Sequence, residues 1–581
     1  MARRLNKQFV IPGIIVAVVL IVGLGLAAKW KLDWSKNPLP SIQEGDQAMK
    51  DGRYQDAIDA YAKAIRLKDT DPMVWVKLGD AHNMLSADDV NNLYKARGVW
   101  ENAIQQDPRL MDAHQRLLKF WMDWGNAAAG AARTTYLDRA ADAARGILRV
   151  APDDKLARRV IQEAVVESWL SGAAVDQQKI EDAITELRKL QTEEPTDPEI
   201  PFAIARAQAQ QGFDAMRRND RQQATILLDE AVKTMDDAIA ANPESGAMLI
   251  RKAQLLSGIG PRVEQDKDES ALKQKIGKLN EDIAALAEKA RELIKPTDPE
   301  FVQTWVFSAL MQQRIGKVER AEEILSQLVK SRPEEIVPRI QLADLLRTDS
   351  TRWQEALNLV TSLPPSATQA KGGVQGQVAR GAETRALLTA ADIRLDLFMQ
   401  ARGQNDTKTA DALLKQVEED LTKIAAKDPD NPNLLRVRGK KELFNNELVA
   451  CVQTLRRALT IATDPNDRTK YEVMYLLARA FQVTQQTGEA EKLYREMIER
   501  VDYVPARIEL ARLLLFKRSL DEAAGHIATL KQQQPKNPEV LRLELALAEM
   551  QNKGDATAAS KRLADLPEGT DREKMDKARI A

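Results

Sequence analysis

The residues best suited to chemistry are few and scattered. The chain of 581 residues holds three histidines, His82, His114 and His526, and one cysteine, Cys451. A catalytic imidazole needs a nucleophile or carboxylate beside it, and a structural zinc needs a set of close nitrogen or sulfur donors. Neither set is spelled out around these positions, and no HExxH, GxSxG or CxxC occurs. The glycines of Pro364–Gly381 follow no strand pattern and lack the Gly-Lys-Ser/Thr ending of a phosphate loop. Aspartates and glutamates abound, but three or four positions from Lys or Arg on helical stretches, the spacing of solvated pairs. The expectation is a non-enzyme: no catalytic residue, no metal ligand, and no cofactor.

The elements that would position any functional side chain are helices arranged in a repeat. Gly45, Gly52, Tyr54, Ala57, Tyr61 and Ala64 are followed by Trp75, Leu78 and Gly79, with Gly79 standing 34 positions after Gly45. Small residues let two helices cross closely, the tyrosines fill the space beside the crossing, and Asp51-Gly52 makes the turn. Asp71-Pro72 then ends one helix and starts the next. The frame returns at Ala96, Trp100 and Ala103 after an insertion of about five residues around 86–91, and again at Ala183, Leu187 and Leu190. Trp305, Ala309, Gly316, Ala321 and Leu325 form a nearly complete unit. Ala478, Phe481, Gly488, Ala490 and Tyr494 form another, and Ala511, Ala523, Ile527 and Leu530 one more.

On these residues the chain resembles the tetratricopeptide repeat family over roughly residues 41–550, strongly at both ends and weakly between about 110 and 300. The resemblance implies an all-α, right-handed superhelical solenoid of antiparallel helix pairs, about nine to twelve of them. Composition agrees. Aromatic residues make up 5% and charged residues 29%, and β-branched runs with regular turns are lacking. The net charge of −1 provides no general attraction for nucleic acid.

Ahead of the repeats, Phe9–Ala28 runs twenty residues without a charge. At about 1.5 Å per residue that length spans the hydrocarbon core of a bilayer. Arg3, Arg4 and Lys7 precede it, while Lys29, Trp30, Lys31 and Trp34 follow in the manner of an interfacial belt. The run exceeds a typical signal core, so an uncleaved single-pass anchor is expected. Gly25-Leu26-Ala27 keeps a cleaved, soluble periplasmic form open as the alternative. The acid-free amino-terminal flank favours a cytoplasmic amino terminus in an inner membrane, with the repeats on the periplasmic side.

The expected organisation is a basic tail (1–8), a transmembrane anchor (9–28), a linker (29–40), an amino-terminal solenoid (41–365), a loop or hinge (366–382), a carboxy-terminal solenoid (383–552) and a polar tail (553–581) with a short helix near Ala556–Leu566. Two other departures from the repeat stand out. Trp121–Thr135 reads as a lengthened turn, rich in glycine and alanine. Ile276, Leu279, Ile283, Leu286, Ala290 and Leu293 form a short heptad stripe, read as one elongated helix packed on its neighbours rather than as a dimerising coiled coil.

The resemblance also implies where a ligand would lie, because first helices line the concave face in this family. Carried onto this chain, the groove residues are Asp46, Asp80, Asn83, Gln313, Arg314, Arg479, Gln482, Arg512 and Phe516, more acidic near the anchor and more basic far from it. Asp46 and Asp80 argue against a subtype that clamps a terminal carboxylate. The implied function is a membrane-anchored scaffold that recruits envelope proteins or peptides through this groove. An envelope enzyme or transport component with an unrecognised site is the alternative from a different class. The sequence leaves the oligomeric state open.

Overall fold

A computed structural model describes residues 37–551, except 68–70, 88, 129, 264–268, 365–371, 463–467 and 536. The anchor Phe9–Ala28 and the tail helix Ala556–Leu566 lie outside the described residues. Among those described, the structure is all helix with no strand, and no helix is long and apolar enough to cross a membrane. The chain divides into two units, one of residues 1–324 with 369–381 and one of 325–368 with 382–581.

In the first unit the helices follow as antiparallel pairs: Leu39–Lys50 with Tyr54–Ile65, Met73–Leu85 with Asn91–Gln106, Met111–Ala127 with Gly130–Leu148, Lys155–Leu170 with Gln177–Glu193, Glu199–Arg217 with Arg221–Ala241, and Gly246–Val263 with Glu269–Leu293. Phe301–Arg314 and the start of Val318–Ser331 complete it. In the second unit Ile336–Leu346 pairs with Trp353–Thr361. The part of Gly373–Gly403 from Ala382 onward pairs with Thr407–Ala425, Pro432–Phe444 with Leu448–Ile461, Arg468–Val483 with Thr487–Val501, and Val504–Phe516 with Leu520–Gln533, ahead of Pro538–Met550. Within each unit a helix packs mainly on its neighbours in sequence, the organisation of a tetratricopeptide-like α-solenoid.

One rule of spacing builds the pairs. A small residue in the first helix meets a large one sixteen positions later in the second: Gly45 lies under Tyr61, Gly212 under Leu228 and Gly439 under Leu455, close enough that an added Cβ would overlap the partner. Gly79 meets Trp100 in the same way after the insertion, and the indole Nε1 donates to the Val76 carbonyl oxygen at 3.3 Å. Ala478 with Tyr494 and Ala511 with Ile527 keep the sixteen-residue spacing inside a core that also contains Leu477, Met497, Leu510, Leu514 and Leu530. Each such fully buried Leu, Ile or Met contributes about 1.5–3 kcal/mol through removal from water.

The turns obey a second rule. Seven positions past the small residue, Gly52, Asn219, Gly316, Asn446, Gln485 and Arg518 all take the left-handed conformation. The next amide then bonds back to the carbonyl five residues earlier, as from Arg53 to Ala48 at 2.9 Å and from Gln486 to Phe481 at 2.8 Å. This closure satisfies carbonyls that a helix end would otherwise leave without partners. Asp154, Asp220, Asn431 and Asn537 cap the starts of later helices by accepting backbone N–H groups.

Three of the irregular segments are now placed. Trp121–Thr135 is not a long turn: Met111–Ala127 and Gly130–Leu148 are separated by two residues. Gly130 takes a positive φ, and Tyr136 stacks on Trp121 with ring centroids 6.0 Å apart. The heptad stripe belongs to the 25-residue helix Glu269–Leu293, whose Ile283, Ala284, Ala287 and Ala290 pack with Leu249, Ile250 and Ala253 of the preceding helix. Of the stretch 366–382 expected as a loop, the described end is helical, because Gly373–Gly403 runs unbroken for 31 residues. Its first turns, up to Gly381, belong to the first unit, and the rest to the second.

Candidate protein-binding face

The first helices bring their polar residues to a face where most charges are paired. Asp46 accepts the Tyr61 hydroxyl at 2.7 Å and the Lys77 ammonium at 2.8 Å. Burial would raise its carboxyl, but the bonds from Lys77 and Tyr61 outweigh this and hold it below the usual range. Asp80 accepts from Arg116 Nε at 3.1 Å. Asp80, Asn83 and Arg116 border a pocket of about 410 Å³, with Met49, Trp100, Phe120 and Val374 supplying apolar walls.

The same stapling of one first helix to the next continues along the unit. Arg206 of Glu199–Arg217 reaches Glu167 of Lys155–Leu170 at 2.8 Å. Nearby, burial pushes the Glu163 carboxyl up to about 7 despite Arg159 beside it at 3.3 Å. Gln313 and Arg314 are exposed at the end of Phe301–Arg314.

In the second unit Arg479 and Arg512 are brought together. They share a pocket of about 470 Å³ with Tyr475, Ile508, Glu509, Asn537 and Glu539. Arg512 is spoken for, since it bonds Glu509 and Glu539, each at 2.6 Å. Arg479 lies over the Tyr475 ring, 6.0 Å from its centroid, and reaches the hydroxyl at 3.4 Å. Among the described residues it has no carboxylate within ion-pair distance. Gln482 accepts the Tyr494 hydroxyl at 2.9 Å, and Phe516 stands 80% exposed.

The expected gradient from acidic to basic is therefore not a gradient of unpaired charge. Asp46, Asp80 and Arg512 are each neutralised by a neighbour, whereas among the described residues Arg314 and Arg479 have no carboxylate within ion-pair distance, Arg314 exposed at a helix end and Arg479 set in the pocket.

One cluster escaped sequence reasoning. Asp392, 4% exposed, accepts from Arg436 at 2.5 Å and Lys440 at 3.1 Å, while Asp396 accepts from Lys440 at 2.8 Å and Arg347 at 2.7 Å. Burial raises the Asp392 carboxyl, but Arg436, Lys440 and Arg347 more than offset it and hold the group far below the ordinary range. The network ties Ile336–Leu346, or rather Arg347 just beyond it, to Gly373–Gly403 and Pro432–Phe444. Its signal was present: Lys440 follows Gly439 as Asp46 follows Gly45 and Arg479 follows Ala478.

The histidines are engaged singly. His82 Nδ1 lies 2.9 Å from Asn92 Oδ1, His114 Nε2 3.0 Å from the Pro108 carbonyl, and His526 Nδ1 3.1 Å from Arg507. Among the described residues no group of three His, Cys, Asp or Glu is arranged to hold a metal ion.

Residues 42–91 match the family model described as tetratricopeptide repeat, which covers the first pair, Gly79 and the start of the insertion. No curated protein matches the chain. Among solved structures, yeast Tom70 aligns over 91% of this chain and 99% of its own, at 15% identity and a TM-score of 0.35. The anaphase-promoting-complex hetero-tetramer Cut9–Hcn1 aligns over 88% and 98% at 12% identity and 0.32. A thermophilic TPR protein of Thermus thermophilus aligns over 37% and 98% at 19% identity and 0.30. At such scores the repeat assignment beyond residue 91 rests on the spacing, crossings and turns described above.

Proposed function

We propose that this chain is a membrane-anchored, non-catalytic scaffold whose first-helix face captures protein partners at an envelope. The observation that carries the reading is the pocket of Arg479, Arg512 and Tyr475: an open polar recess, with a guanidinium short of a carboxylate, on a stack of repeats. Such a site suits an extended or helical peptide bearing an acidic side chain. The remaining expected groove positions, Asn83, Gln313, Arg314, Gln482 and Phe516, would line the path of a longer ligand.

Arg479→Glu tests it more cleanly than the pair with Arg512, because reversing Arg512 would set a third carboxylate against Glu509 and Glu539. The variant is expected to lose on the order of tenfold in partner capture while unfolding as wild type does. Crosslinking in native membranes followed by quantitative recovery checks this; equal recovery of the same partners would discard the pocket as a binding site.

The anchor reading makes a separate prediction. The full chain should remain with membranes through alkaline carbonate washing, and removal of residues 1–36 should release it. Release of the full chain by carbonate, with a mature terminus near Ala27, would favour the cleaved periplasmic form instead. Protease added outside the inner membrane is expected to cut the repeats, as the positive-inside bias directs; protection there would reverse the orientation.

A further inference from the structure

The turn of the second pair departs from the left-handed closure seen at Gly52, Asn219, Gly316, Asn446, Gln485 and Arg518. Ser86 stands seven positions past Gly79 but has φ −63, and the helix Asn91–Gln106 starts only after the insertion. The Ala87 amide bonds to the Met84 carbonyl at 3.3 Å instead of reaching back five residues. The last turn of Met73–Leu85 is bonded locally, with Ser86 Oγ donating to the Asn83 carbonyl at 2.6 Å, but the Ser86 and Ala87 carbonyls that follow it are met by another part of the same unit.

That part is Gly372–Arg380. The Gly373 amide donates to Ser86 Oγ at 2.8 Å, and the Arg380 guanidinium donates to the Ser86 and Ala87 carbonyls, each at 3.2 Å. Val374 is 4% exposed in the core that holds Val76, Trp100 and Phe120. Gly372 presses so near the helix end that a Cβ there would lie 2.6 Å from the Asn83 carbonyl oxygen and 2.7 Å from that of Met84. Gly373 needs its positive φ of 77° to turn the chain into the helix.

We propose that Gly372–Arg380 is a built-in ligand, occupying in the free chain a receptor for the first turns of a partner's helix. The chemistry of that partner follows from the contacts. It begins with two small residues, because backbone carbonyls crowd the first and the second turns with a positive φ. It places an apolar side chain next, for the pocket of Val76, Trp100 and Phe120. It carries an arginine two turns later, to meet carbonyls at the negative end of a helix dipole. The neighbouring cavity bordered by Asp80, Asn83 and Arg116 leaves space for the partner's polar side chains. The proposal rests on the reading of this face as protein-binding, and adds that its front end is autoinhibited. A tethered segment acts at an effective concentration near the millimolar range, so a partner must outcompete it.

A fluorescent synthetic peptide of residues 372–388, titrated into the full chain in detergent, is the test. Wild type should bind it weakly. Gly372→Val, which expels the built-in segment by overlap with backbone, should bind it about tenfold more tightly or better. Adding Ser86→Val to that variant should weaken the peptide again by removing the hydroxyl that receives Gly373. Equal binding by wild type and Gly372→Val, or binding by neither, overturns the proposal. So does loss of folding in Gly372→Val, judged by helicity, when Arg380→Ala also fails to tighten binding. None of these results depends on Arg479, so the second-unit pocket stands or falls by its own experiment.

Discussion

Asp392→Ala is expected to destabilise the second unit by about 3–5 kcal/mol, the range for removing one partner of a buried ion pair. The reason lies in what is left behind. Asp392 is 4% exposed and is shared by Arg436 and Lys440, with Arg347 at 3.9 Å. Alanine would leave Arg347 and Lys440 sharing Asp396 alone and Arg436 with Glu472 at 3.3 Å, three cations on two carboxylates in a site where water cannot replace the one removed. The cost is therefore mainly an uncompensated desolvation, and the attraction lost is a smaller part. A control follows from that reasoning: Asp392→Leu combined with Arg436→Met and Lys440→Met should recover most of the loss, since well-packed apolar groups need no counter-charge. Urea unfolding of each variant measures both effects. A loss below about 1 kcal/mol for Asp392→Ala would mean the network is solvated and structurally idle.

The pH dependence has a definite sign. The folded carboxyl is held below its unfolded value. Its contribution is thus complete above the ordinary carboxylate range and is lost only as pH falls through the lowered folded value. The gap between wild type and Asp392→Ala should stay constant from pH 8 down to about 5.

Ala511→Trp is the second large effect, expected at about 3 kcal/mol or more, the upper end for overpacking. Ala511 has no exposed surface and sits where the first helix Val504–Phe516 crosses its partner, within the core that contains Ile527 and Leu514. An indole there must separate the two helices, and the displaced pair also borders Thr487–Val501 and Pro538–Met550. Damage should therefore spread to the neighbouring repeats, lowering cooperativity as well as the midpoint of thermal unfolding. An unchanged midpoint would mean the register of the last pairs has been misassigned.

How much of this was legible depends on the residue that marks a crossing. Where the small residue is followed by an aromatic, as in Gly45 with Tyr61 and Gly79 with Trp100, the pair could be read directly from the chain. Where leucine takes the aromatic's place, as in Gly212 with Leu228 and Gly439 with Leu455, the same spacing passed unnoticed amid many leucines. Left-handed turns made by Asn219, Asn446, Gln485 and Arg518 hid for a similar reason, since they lack the glycine that announces such a turn at Gly52, Gly172 and Gly316. Of the face, Asp80 with Asn83 and Arg479 with Arg512 each border a common pocket. Their ion partners were not legible, because Arg116 and Glu539 come from the next pair, and contact across pairs leaves no local pattern. The docking of Gly372–Arg380 was out of reach: nearly three hundred residues separate it from Ser86, and its glycines resemble an ordinary linker.

The staples between successive first helices, Lys77 on Asp46, Arg116 on Asp80 and Arg206 on Glu167, have a mechanical consequence. Each pair is clipped to the next by a charge that is partly open to water, so the compliance of the stack along that side is set by the surrounding electrolyte. Dilute medium stiffens it; concentrated salt, with a screening length of about 3 Å at 1 M, lets neighbouring pairs splay. On the proposed reading, a bound chain that contributes its own charge would exchange one clip for another, and its capture would be coupled to bending of the stack.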